Sequence, residues 1–128
     1  MSYYFVKTIN ASFDEAIGIA TEALKKEGFG VLTTIDIHDK LKEKIGVDFQ
    51  RYTILGACNP PFAYKALQAE NKIGTMLPCN VIVQEVGPGK VEIAAVNPIE
   101  SMKAIENPAL GEVAQQVTEM LRRVIDQL

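Results

Sequence analysis

The chain has 128 residues, 48% hydrophobic and 23% charged, a balance that suits one globular domain over residues 1–128 with a core of its own. A net charge of −3 and a pI near 5.2 lack the basic footprint of a nucleic-acid-binding protein. The longest apolar runs, residues 3–6 and 93–96, fall far short of the ~20 residues of a membrane span, and the amino terminus lacks a secretory pattern, so the expected setting is cytoplasmic, without permanent disulfides.

Residues 3–9 predict a first strand. Ser12 and Glu15 then form a capping box, hydroxyl and carboxylate each taking a free backbone N–H, and Phe13, Ile17, Ala20 and Leu24 recur at helical spacing up to Gly28. Residues 30–36, rich in Val, Thr and Ile, predict a second strand. A short helix follows, with Ile37, Leu41 and Ile45 on one face, Lys40, Lys42 and Lys44 turned away, and Gly46 closing it. His38, the single histidine, lies on this helix and is expected at the surface with no assigned job; Asp36 and Asp39 are helix-start residues rather than an acid and base pair.

Residues 51–58 predict a third strand. Asn59-Pro60 reads as an N-cap with proline at the first helical position, opening a helix over residues 61–71 that buries Phe62, Ala63, Ala66 and Leu67. Residues 79–86 and 90–96 form a hairpin around Gly87-Pro88-Gly89. After an irregular connection from Asn97-Pro98, Asn107-Pro108 caps the longest helix. There Leu110, Ala114, Val117, Leu121, Val124 and Leu128 repeat at four and three residues, while Val113, Met120 and Ile125 widen the stripe enough to cross a sheet and also touch a partner subunit. Arg122 and Arg123 oppose the negative end of that helix's dipole and are otherwise solvated.

The two cysteines share a frame, Gly56-Ala57-Cys58-Asn59-Pro60-Pro61 and Met76-Leu77-Pro78-Cys79-Asn80-Val81. Together with Glu27-Gly28-Phe29-Gly30-Val31-Leu32-Thr33, Ile54-Leu55 ahead of the first frame, and Asn97-Pro98, these segments resemble the DUF302 family, small bacterial and archaeal proteins of unassigned function. The resemblance spans nearly the whole chain. It implies a TATA-binding-protein-like α+β fold, an antiparallel sheet gripped by helices, and a homodimer. It does not imply DNA binding, and the acidic balance removes the electrostatic attraction that such binding needs.

If the strand ending at Cys58 runs antiparallel to the one beginning at Cys79, both thiols lie at one edge of the sheet, with Asn59, Asn80 and Asn97 around them and His38 at the opposite edge. The connection from Asn59 to Pro78 is also long enough for a crossover, which would separate them. Three chemistries suit the pair. Each cysteine can be a small buried hydrophobe at a strand end. Alternatively they form a redox or nucleophilic thiol site, because Cys58 precedes a helix amino terminus that stabilises a thiolate. A metal site is the third, but it lacks two further donors and the Cys-x-x-Cys spacing.

The favoured expectation is a small-ligand or thiol-dependent site, with Cys58 and Cys79 as catalytic candidates and the amides of Asn59, Asn80 and Asn97 binding a small polar molecule or anion. No metal, cofactor, nucleic acid or membrane is assigned. The rival expectation is a non-catalytic dimeric assembly or regulatory module with structural cysteines, working through its dimer surface and long helix. The chain has no Walker sequence, no Gly-x-Ser-x-Gly elbow and no His-Glu-x-x-His motif.

Overall fold

Alternation of small and branched apolar residues with polar ones builds the strands, and capped amphipathic segments build the helices between them. The computed structural model describes residues 2–128. In chain order its elements are β1 (Tyr4–Asn10), α1 (Phe13–Lys26), β2 (Gly30–Asp36), α2 (Ile37–Ile45), β3 (Tyr52–Cys58), α3 (Pro60–Ala69), a 3-10 turn (Ile73–Met76), β4 (Cys79–Gly87), β5 (Lys90–Val96), α4 (Pro98–Ser101) and α5 (Pro108–Asp126). The strands form one sheet in the order β1-β5-β4-β3-β2, every neighbouring pair antiparallel. This is the expected α+β architecture with a long C-terminal helix.

Local chemistry fixes the element ends. The capping box forms as read: the Ser12 hydroxyl accepts the Glu15 N–H at 3.1 Å and the Glu15 carboxylate accepts the Ser12 N–H at 3.1 Å. Ser12 thereby holds the Glu15 carboxyl below the usual carboxylate range. Gly28 takes φ +86° just after α1, and Gly46 takes φ +67° where α2 stops, both left-handed positions that L side chains rarely adopt.

One face of the sheet carries the core. Leu55, Ala57, Val81, Val83, Val91, Ile93 and Ala95 pack against Phe13, Ala16, Ala20 and Leu24 of α1 and against Val117, Leu121, Val124 and Ile125 of α5. Full burial of each larger side chain contributes roughly 1.5–3 kcal/mol. A second, smaller cluster of Ala66, Ile73 and Leu110, with Leu77, Met102 and Ile105 against it, joins α3, the 3-10 turn and α5.

Helix α2 lies at the surface as expected and buries none of its residues, Ile45 being 66% exposed, but the readings of His38, Arg122 and Arg123 need correction. Polar bonds anchor its start instead: the Asp36 carboxylate accepts the Thr53 hydroxyl at 2.7 Å, and His38 Nδ1 accepts the Tyr52 N–H at 2.9 Å. His38 is therefore half-buried, with a structural task. Arg123 donates to the Glu27 carboxylate at 3.0 Å, and Arg122 stacks over Phe5 at 5.2 Å, so neither is merely solvated. The connection from Asn97-Pro98, expected to be irregular, holds α4, and residues 73–76, for which no element was expected, form the 3-10 turn. No helix among the described residues is long and apolar enough to cross a membrane.

Candidate functional site

The antiparallel ladder decides where the cysteines meet. Cys79, first residue of β4, is the register partner of Ala57, and Cys58, one residue further along β3, is the partner of Gly30. The crossover alternative is therefore gone, and both thiols lie at one end of the sheet. Asn97 follows β5 at that same end, its N–H donating to the Tyr3 carbonyl at 2.8 Å. His38 lies at the opposite end beside Tyr52.

A cavity of about 370 Å3 opens at this end, in the seam between the two core clusters. That size falls within the range of small-molecule sites. Cys58, Asn59 and Cys79 form part of its wall, with Phe29 and Phe62 on one side and Leu77, Met102, Leu110 and Val113 on the other. Ala57, Ala63, Ala66, Gly74 and Ala114 also line it, and their small size leaves the space open. The mouth is marked by Leu32, which is 70% exposed, and by the exposed Leu67 and Gly74. Helix α3 was expected to bury its apolar face in a filled core; of that face only Ala66 is buried, because the rest looks into the cavity or out at its rim.

The two thiols differ. Cys79 is buried, and burial, reinforced by the nearby Cys58 sulfur, pushes its thiol up to about 11. It stays protonated at neutral pH, a weak donor with a polarizable sulfur. Cys58 is half-buried and the more accessible of the pair.

The helix amino terminus behind Cys58 supplies less than its position promises. Pro60 and Pro61 have no N–H, and the Ala63 N–H is taken by the Asn59 carbonyl at 2.9 Å. At most the Phe62 N–H remains in that turn. Asn59 does not cap α3 with its side chain; its amide donates to the Glu27 carbonyl at 3.3 Å and to Met120 Sδ at 3.8 Å. That bond ties the end of β3 to the close of α1, where Gly28 takes φ +86° and a Cβ would crowd the Asn59 amide nitrogen at 3.1 Å.

The other two asparagines lie outside the cavity wall. Asn97 is buried, donating to the Ser2 carbonyl at 3.3 Å and accepting from the Thr118 hydroxyl at 3.4 Å, which in turn accepts the Ile99 N–H at 3.2 Å. It works as a joint between β1, α4 and α5. Asn80 is exposed on the opposite face of the sheet. Among the described residues, no three His, Cys, Asp or Glu side chains gather to hold a metal ion.

With fold and cavity in place, a family model described as "Domain of unknown function DUF302" matches residues 5–128. The chain belongs to the DUF302 family. A crystal structure of an uncharacterized conserved DUF302 protein from Bacillus stearothermophilus is similar throughout, with a TM-score of 0.90, 31% sequence identity, and coverage of 99% of this chain and 98% of that one. No curated protein matches the chain. Neither the DUF302 family nor that relative carries an assigned function.

Sequence reading found the cysteines and Asn59 but missed the cavity between the cores. Its only trace is the placement of small residues, Ala63, Ala66, Gly74 and Ala114, among larger apolar ones, which becomes a void only once α3 and α5 are packed against the sheet end.

Proposed function

We propose that this DUF302 chain binds a small, uncharged, mainly apolar molecule in the cavity beside Cys58 and Cys79. The observation that carries the reading is a space of about 370 Å3 walled by carbon and sulfur, with an exposed apolar mouth at Leu32 and Leu67. An apolar ligand entering it gains the burial of its own surface, about 25 cal/mol per Å2, without leaving a charge unpaired. A polar or anionic ligand is less well served. Asn80 and Asn97 do not line the space, and the first turn of α3 has two prolines where amide donors would be.

The thiols then act chiefly as soft, polarizable wall groups. In the reducing cytoplasmic setting of this reading they stay free. If covalent chemistry occurs, Cys58 is the attacking group, since it is the more accessible and Cys79 holds its proton.

The neutral fluorophore N-phenyl-1-naphthylamine tests the proposal. Its emission should rise saturably with added protein and lose that rise in Ala63→Phe, which places a ring into the cavity. Absence of saturable binding, or equal binding to Ala63→Phe with an unchanged circular dichroism spectrum, overturns it.

A further inference from the structure

Among the described residues, Asn59 is the one member of the cavity wall, besides the two cysteines, whose side chain carries a polar group, and no charged side chain joins them. It is 9% exposed, so its amide has little access to bulk water. The amide nitrogen is occupied, donating to the Glu27 carbonyl at 3.3 Å and to Met120 Sδ at 3.8 Å. These partners also fix which way the amide faces, because the flipped orientation would set two acceptor oxygens against each other at that same 3.3 Å. The oxygen therefore points away from Glu27. Among the described residues no group donates to it, and it does not cap α3. Nor is it sealed in: no fully buried side-chain oxygen among the described residues lacks a partner, so Asn59 Oδ1 keeps an open surface, and the space that Asn59 borders is the cavity.

We propose that the ligand of this cavity is an alcohol or a phenol, an apolar body carrying one hydroxyl that donates to Asn59 Oδ1. This rests on the cavity reading above and adds the chemistry of one end of the ligand. An acceptor shut away from water without a donor is costly, and an incoming hydroxyl faces the same cost unless it finds an acceptor, so each group answers the other's deficit.

Other head groups fit less well. A carboxylate or phosphate would set a negative charge against an acceptor oxygen with no cation on the wall, and an ammonium would find no carboxylate there. An amide would bring a carbonyl oxygen for which the protein has at most the Phe62 N–H and the weak S–H donors of Cys58 and Cys79. With the hydroxyl held at Asn59, the apolar body extends toward Leu77, Met102 and Leu110 of the smaller core.

Displacement of N-phenyl-1-naphthylamine at pH 7 tests the assignment with two molecules of nearly equal size, 1-naphthol and 1-methylnaphthalene. In a cavity without an acceptor the hydroxyl loses its water partners and regains nothing, so the methyl compound should bind roughly tenfold more tightly. With Asn59 Oδ1 as acceptor, 1-naphthol should bind the wild type at least as tightly as 1-methylnaphthalene. Asn59→Leu, which keeps the heavy-atom outline and removes the acceptor, should turn the preference to 1-methylnaphthalene. A wild type that prefers 1-methylnaphthalene overturns the proposal while the cavity reading stands. So does an Asn59→Leu variant with an unchanged circular dichroism spectrum and the wild-type preference. If Asn59→Leu does not fold, the wild-type ratio decides alone. Dye that binds but yields to neither compound also overturns it, whereas dye that does not bind at all removes the cavity reading and this proposal with it.

Discussion

Gly56 shows how tightly the cysteine end is assembled. A Cβ at that position would lie 2.5 Å from Thr33 Cγ2 and 2.9 Å from Pro78 Cγ, so a side chain there must displace the Thr33 side chain and the Pro78 ring. Gly56→Ala should cost about 1–3 kcal/mol of stability, the usual range for overpacking, measured by urea unfolding. Adding Thr33→Ser removes the methyl in the way and should recover part of the loss. Cys79 makes a pH prediction. Its folded thiol sits near 11, above the ordinary thiol value of 9.0, so the unfolded chain releases this proton first. The stability tied to the neutral thiol is full below about pH 9 and is lost as pH rises toward 11, roughly 3 kcal/mol in all. Burial also raises Tyr52, reinforced by Tyr3 and Glu92, and that contribution fades in the same direction at higher pH. Because Tyr52 is present in both, the difference between wild type and Cys79→Ala isolates the cysteine: the variant's melting temperature should fall less from pH 8.5 to 11. Alkylation of Cys79 in a Cys58→Ser background should likewise stay slow near pH 7 and climb toward pH 11; reaction there as fast as a free thiol would count against a protonated, buried sulfur.

Helices α1, α3 and α5 illustrate how far capping chemistry can be read in advance. The Ser12 box and the Asn107 cap both form with side-chain bonds, because each polar residue stands just ahead of an amphipathic run that needs its first N–H groups satisfied. Asn59 stands in a similar sequence context and does something else, since the second proline, Pro61, removes one of the two N–H groups a cap would accept and its amide turns to Glu27 instead. Asn107 has a double task. Its carbonyl oxygen accepts the Ala109 and Leu110 N–H groups at 3.1 and 3.4 Å, while its amide donates to the Ala69 carbonyl at the end of α3 at 2.8 Å. Asn107→Ala should therefore cost about 1–2 kcal/mol, while Asn107→Asp, which keeps the acceptor and loses the donor, should cost less. Equal losses in thermal unfolding would mean that the bond to Ala69, rather than the cap, holds this element.

The whole molecule has two cores of unequal size, and the cavity is the gap between them. The larger core, under α1 and α5, is set by strand alternation and by the four-and-three stripes. The smaller joins Ala66 of α3 and Leu110 of α5 through Ile73, Leu77, Met102 and Ile105, which lie in connections without a periodic signal. Where the two meet, alanines and a glycine leave space that the fold does not fill. The Ala63→Phe variant that blocks the fluorophore should consequently keep or raise the melting temperature, as filling a void restores packing contacts. A drop of many degrees would show that α3 cannot accept the ring and that the space is smaller than its walls suggest.

Sequence alone determined the five strands, the helices between them, and the shared frame of Cys58 and Cys79, because period, capping residues and turn glycines act within a few residues of one another. It also placed His38 away from the thiols, on the condition that the sheet was antiparallel. The tertiary structure removed that condition, since only the β3–β4 register could choose between a hairpin-like neighbour and a crossover. It decided, too, which side of the sheet each asparagine serves: Asn59 in the cavity wall, Asn97 in a buried joint, Asn80 on the open face. Those outcomes depend on pleat parity at strand ends and on how distant helices pack, and neither is written in any local stretch of chain.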